Sequence, residues 1–130
     1  MEKLRILVVD DDPRYLELLE FTLQGEGFDV FTAQKPSDVQ QLAVTLQPDV
    51  ILTDVSMPGM DGYALAAGLR GDPRTGHIPL IFVTAHTENG AQQLEMNLKD
   101  ADHLTKPFSV LDLVSRIRRL TDDVSEEGKV

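Results

Sequence analysis

Apolar residues along this chain follow two alternating patterns. Nearly continuous runs, "LRILVV" from Leu4, "DVILT" from Asp49 and "PLIFVT" from Pro79, read as strands covered on both faces. Two shorter runs, "FDVFTA" and "HLT", complete a set of five. Between them the spacing becomes helical: Leu16, Leu19 and Leu23 form one stripe, and Val39, Leu42, Ala43 and Leu46 a second. Val110, Leu113, Val114 and Ile117 form a third. Two further helices are expected around residues 62–71 and 88–98, each weakened by glycine. Asp12 before Pro13 reads as N-cap then first helical residue, and Ser109 with Asp112 resembles a capping box. Gly25 and Gly27 are placed to stop the first helix. Strand–helix alternation of this kind predicts a parallel α/β sheet with right-handed crossovers. No internal repeat interrupts it. One domain is expected over residues 1–121, with 122–130 as a tail or the start of a linker.

Composition narrows the classes of function. The 130 residues suit one domain with a sizeable core, and 42% hydrophobic with 26% charged residues is ordinary for a globular protein. Without cysteine there is no disulfide, thiolate ligand or thiol nucleophile. The apolar runs are too short to span a bilayer, and "MEKLRIL" has no signal-peptide core, so a cytoplasmic protein without a membrane partner is expected. A net charge of −10 disfavours nucleic acid as a partner of this domain.

The candidate chemistry sits at the ends of the strands. In parallel α/β sheets, ligands bind beyond the carboxyl ends of the strands. Here the first run ends on Asp10 and Asp11, the third on Asp54, the fourth on Thr84, and the fifth is followed by Lys106. "DDDP" alone could be a solvated turn plus a helix cap, and Asp54 alone could open the turn "MPGMDG". Together, three carboxylates beside one ammonium make a hard-oxygen site suited to Mg²⁺. A cation there would offset the repulsion that makes such a cluster costly.

The segments "ILVVDDDP", "VILTDVSMPGMDG", "PLIFVTA" and "HLTKPF" resemble the response-regulator receiver domain, over roughly residues 4–120. The resemblance implies a flavodoxin-like, doubly wound fold: a five-stranded parallel sheet in the order 2-1-3-4-5 with helices on both faces. It implies that Asp54 accepts a phosphoryl group from a sensor histidine kinase or a phosphotransfer protein. The same resemblance implies Mg²⁺ as cofactor, held by Asp10, Asp11, Asp54 and the Ser56 carbonyl. Thr84, Ala85 and Lys106 then bind the phosphoryl group, and Lys106–Pro107 resembles the family's cis peptide. The protein is thus expected to be a signalling phosphoacceptor that assists its own phosphorylation and dephosphorylation, not an enzyme acting on others. Its effector is unspecified, and homodimerisation stays open.

Three features depart from the family's pattern. His103 stands where the family usually has Tyr or Phe, which makes it a candidate for an altered switch. "KDADH" replaces the common Gly-Ala turn, and no effector domain is visible after Val130. His77 reads as an exposed loop residue, and His86, two residues after Thr84, could overhang the mouth of the sheet. "SRIRRL" places Arg116, Arg118 and Arg119 opposite the apolar stripe, where a solvated face is expected. Two other readings remain. A receiver-like interaction module without phosphorylation would keep the fold but take no phosphate. A phosphatase of the haloacid-dehalogenase type would use Asp10-x-Asp12, although Pro13 and Arg14 do not fit that motif.

Overall fold

Strands built of Val, Ile and Leu with no polar alternation must lie inside a sheet, because neither face tolerates water. The computed structural model describes residues 3–57, 60–84, 101–106 and 108–129, with backbone alone at 56–57, 60–61, 84 and 122–129. Along the chain come β1 (Arg5–Val9), α1 (Pro13–Gly25), β2 (Asp29–Ala33), α2 (Pro36–Leu46) and β3 (Val50–Asp54). Then follow β4 (Ser56–Met57), β5 (Met60–Asp61), α3 (Gly62–Arg70), β6 (Leu80–Thr84), β7 (Ala101–Thr105) and α4 (Val110–Lys129). The main sheet is five-stranded, parallel throughout, in the order β2-β1-β3-β6-β7. Counting only its own strands, that order is 2-1-3-4-5, as the resemblance implied. β4 and β5 form a separate antiparallel ladder pairing Ser56 with Asp61.

The pleat sends alternate side chains to opposite faces, so each central strand feeds two cores. Ile6, Val8, Leu52, Ile81 and Val83 pack with Leu16, Leu19 and Leu23 of α1 and Leu113, Val114 and Ile117 of α4. Leu7, Val9, Ile51, Leu80 and Phe82 pack on the other side with Val39 and Ala43 of α2 and Leu65, Ala66 and Leu69 of α3. The apolar stripes are therefore the buried faces of their helices. Val110 is the exception: at the start of α4 it lies exposed beyond the edge of the core.

Local chemistry sets the helix ends. Asp12 caps α1, its Oδ1 accepting from the Arg14 amide at 3.0 Å, and Gly27 after the helix adopts φ 96°. Ser109 Oγ accepts from the Asp112 amide at 3.0 Å, as the capping motif predicted. At its far end α4 continues to Lys129, through most of the segment 122–130 expected as a tail or the start of a linker. That segment has no proline and no glycine before Gly128, so polar helix formers extend the helix without an apolar face. The helix expected around 88–98 lies outside the described residues. Among the described residues, no helix is long and apolar enough to cross a membrane.

Candidate functional site

The register of the sheet assembles the site. β1 pairs with β3 so that Val9 faces Thr53, which places the next residues, Asp10 and Asp54, side by side at one mouth. Asp10 extends the ladder to β2, its amide donating to the Ala33 carbonyl at 3.1 Å. The residue is only 3% exposed, and its Oδ1 accepts from the Asp12 amide at 3.0 Å. Asp11 is exposed at the rim and Asp54 is half-buried. Each of the three offers a carboxylate oxygen, and these oxygens all lie within 4.8 Å of one another.

Lys106 reaches the same mouth from beyond β7. Its Nζ lies 3.4 Å from Asp10 Oδ2 and 3.9 Å from Asp54 Oδ2. The structure thus brings together Asp10, Asp11, Asp54 and Lys106. Thr84 ends β6, between the strands that carry Asp54 and Lys106, and its backbone pairs with Thr105. The backbone of Ser56 follows Asp54 by two residues in β4. Ala85, Pro107 and His86 fall outside the described residues. His77 is exposed in the loop after α3, as its loop reading has it.

The electrostatics favour a cation. Burial pushes the Asp10 carboxyl above its ordinary range, opposed by the Asp12 amide and the Lys106 ammonium and reinforced by the Asp54 carboxylate. Among the described residues, Lys106 brings one positive charge to three carboxylates. An all-oxygen cluster with a buried, destabilised member fits Mg²⁺, whose charge would relieve that cost. Asp12 is not part of the cluster. Its carboxylate is occupied with capping α1, which removes the second acid that the phosphatase motif requires.

Two residues at the site carried no signal in the sequence reading. A Cβ on Gly62 would clash with the Asp54 carbonyl oxygen, so glycine lets α3 begin directly against the Asp54 peptide. In the sequence it read as the end of a turn. Tyr15, in the first turn of α1, places its ring centroid 4.2 Å from Lys106 Nζ, within cation–π range. Nothing in the helical pattern distinguished it from a core residue.

His103, on β7, turns its ring inward. The ring stacks on Phe82 at 4.8 Å between centroids, and Nε2 lies 3.3 Å from Tyr63 Oη. Burial lowers its pKa to about 4, against the opposing pull of the Asp102 carboxylate. The solvated-face expectation fails for Arg116. Its guanidinium donates to Asp102 at 2.7 Å, the His103 carbonyl at 2.9 Å and Asp112 at 3.1 Å, tying α4 to β7. Arg119 also pairs with Asp102, and Arg118 lies 5.4 Å from the Phe28 ring centroid.

Comparison with known proteins points the same way. A family model described as the response regulator receiver domain matches residues 6–118. The DNA-binding dual master transcriptional regulator RpaA of Synechocystis is 38% identical over 128 residues, covering 96% of this chain and 53% of RpaA. The response regulator PleD of Caulobacter vibrioides is 41% identical over 117 residues, covering 90% of this chain and 26% of PleD. The chain therefore spans about half of one relative and about a quarter of the other. Among solved structures, the chemotaxis protein CheY4 of Vibrio cholerae superposes with a TM-score of 0.83 at 27% identity, covering 92% of this chain and 99% of CheY4. The signal receiver domain of a histidine kinase from Syntrophus aciditrophicus gives 0.81 at 33% identity, covering 92% of this chain and 91% of that one.

Proposed function

The chain belongs to the response-regulator receiver family of two-component signalling, and from that membership we propose that Asp54 is its phosphoacceptor. The donor is the phosphohistidine of a sensor histidine kinase or of a phosphotransfer protein, and the exchange takes place in the cytoplasm. One Asp54 carboxylate oxygen forms the bond to phosphorus while the P–N bond of the donor imidazole breaks. The electron pair leaves on nitrogen, which takes a proton from solvent. A carboxylate is already ionised at neutral pH, so no histidine base is needed.

The convergence of Asp10, Asp11 and Asp54 beside Lys106 is the observation that carries this reading. Asp10, Asp11, Asp54 and the Ser56 carbonyl would hold Mg²⁺, which supplies charge neutralisation for the transferred oxygens when bound. Lys106 offers its ammonium to the same oxygens, and Thr84 and Ala85 contribute a hydroxyl and a backbone amide. The phosphorylated domain then changes the surface it presents to an effector domain, an effector protein or a second copy. His103, on β7 where the family usually has Tyr or Phe, is the candidate relay of that change, with a weaker, pH-dependent coupling. With a net charge of −10, this domain is not itself the reader of DNA.

The test is incubation with acetyl phosphate and Mg²⁺, followed by intact-mass spectrometry. Wild type should gain one alkali-labile phosphoryl group and Asp54→Asn none. Equal labelling of the two proteins would remove Asp54 from the role, and no labelling of either would favour a phosphate-independent interaction module.

A further inference from the structure

Lysine is a poor choice for a fixed charge, because its four-carbon stem is flexible and its ammonium strongly hydrated. Lys106 nevertheless has to meet an incoming phosphoryl group at one place. Its two carboxylate neighbours hold it loosely: 3.4 Å to Asp10 and 3.9 Å to Asp54 are both longer than a close charge-assisted hydrogen bond. The third wall is the Tyr15 ring, 4.2 Å from Nζ to the ring centroid. Tyr15 is itself well anchored, packed against the core that α1 and α4 share. Leu18, Leu19, Thr22, Phe108 and Val110 line the groove of about 570 Å³ beside it.

The hydroxyl of Tyr15 is buried and has no hydrogen-bond partner among the described residues. Burial, with the Asp10 and Asp54 carboxylates nearby, raises its ionisation well above that of a free phenol, so the ring stays neutral. A neutral aromatic face attracts an ammonium without taking one of its protons in a hydrogen bond. A carboxylate in that position would compete with the phosphoryl oxygens for the same charge. An aliphatic side chain would fill the space and exert no pull.

We propose that Tyr15 is a positioning residue for phosphoryl transfer, its ring face poising the Lys106 ammonium between Asp10 and Asp54. The proposal rests on the reading of Asp54 as the acceptor. Removing the ring should slow phosphorylation by acetyl phosphate about three- to ten-fold, the range expected for a partly exposed cation–π contact. Keeping the ring but not the hydroxyl should restore it.

The experiment compares wild type, Tyr15→Leu and Tyr15→Phe, each alone and combined with Lys106→Ala, in the presence of Mg²⁺. Tyr15→Leu should be slow, Tyr15→Phe should run near the wild-type rate, and neither change should matter once Lys106→Ala is present. Tyr15→Met replaces the leucine variant should that one fail to fold. A second readout needs no phosphate: the Lys106 ε-protons should resonate upfield of exposed lysines in wild type and Tyr15→Phe, and lose that shift in Tyr15→Leu. An unaltered rate in Tyr15→Leu, an equal loss in the Lys106→Ala background, or the absence of a ring-current shift in wild type overturns the proposal. Labelling of Asp54→Asn at the wild-type level would instead overturn the acceptor assignment and leave the ring-current result standing.

Discussion

Acidification should weaken this fold through His103, and the size of the effect follows from where its ring lies. In the folded protein the imidazole stacks on Phe82 and meets Tyr63, and burial holds its pKa at about 4. In the unfolded chain the value returns to about 6.5. Between those two values the unfolded chain binds more protons than the folded one, so stability falls as pH drops through that window. Taken at face value, the shift is worth about 2 kcal/mol at about pH 5 and only about 0.2 kcal/mol at about pH 7. The ring is only half-buried, and solvent screening reduces the expected loss to about 1 kcal/mol. The assay is urea unfolding of wild type and His103→Phe at both pH values. Phenylalanine keeps an aromatic ring against Phe82, and the other titrating groups are common to both proteins and cancel in the difference. Wild type should lose about 1 kcal/mol more than the variant on going to the lower pH. If the two proteins lose the same stability to within about 0.3 kcal/mol, His103 does not titrate as a buried ring and the reasoning fails.

The proposed metal site predicts weak binding of a largely hydrated Mg²⁺, weakened about ten-fold or more in Asp11→Asn, which calorimetry measures directly. Equal affinities in the two proteins would exclude Asp11 as a ligand. At Gly62, where an added Cβ would clash with the Asp54 carbonyl oxygen, Gly62→Ala should push α3 away from β3. The expected cost is about 1–3 kcal/mol in urea unfolding, with slower labelling of Asp54, and an unaltered midpoint would contradict that close approach.

Much of the architecture was legible because it depends on periodicity, which is a local property. The runs around Ile6, Ile51 and Ile81 have no polar alternation, so they could only be central strands, and that is where the sheet has them. Asp12–Pro13 and Ser109–Asp112 act through backbone groups two or three residues away, so their capping could be read directly from spacing. The helical state of residues 122–129 was not legible for the complementary reason. Residues beyond Thr121 have no core stripe, but a helix can be extended by polar residues of adequate propensity without one.

For the site, the sequence by itself determined which residues end the strands, and hence that Asp10, Asp11, Asp54 and Lys106 were candidates for one mouth. Only the tertiary structure decided what surrounds them. The pairing of Val9 with Thr53 sets the two buried-end aspartates side by side, and pairing across a sheet is a long-range choice. Tyr15 beneath Lys106 and Arg116 clasping Asp102 join different elements of the chain, and Gly62 meets the Asp54 peptide only because the intervening turn folds back on β3. The inward turn of His103 belongs with them, since it depends on Phe82 and Tyr63 offering a surface from two other elements. Spacing along a chain encodes which face a side chain takes, but the partner on that face is chosen by packing, and packing exists only once the sheet and its helices have closed.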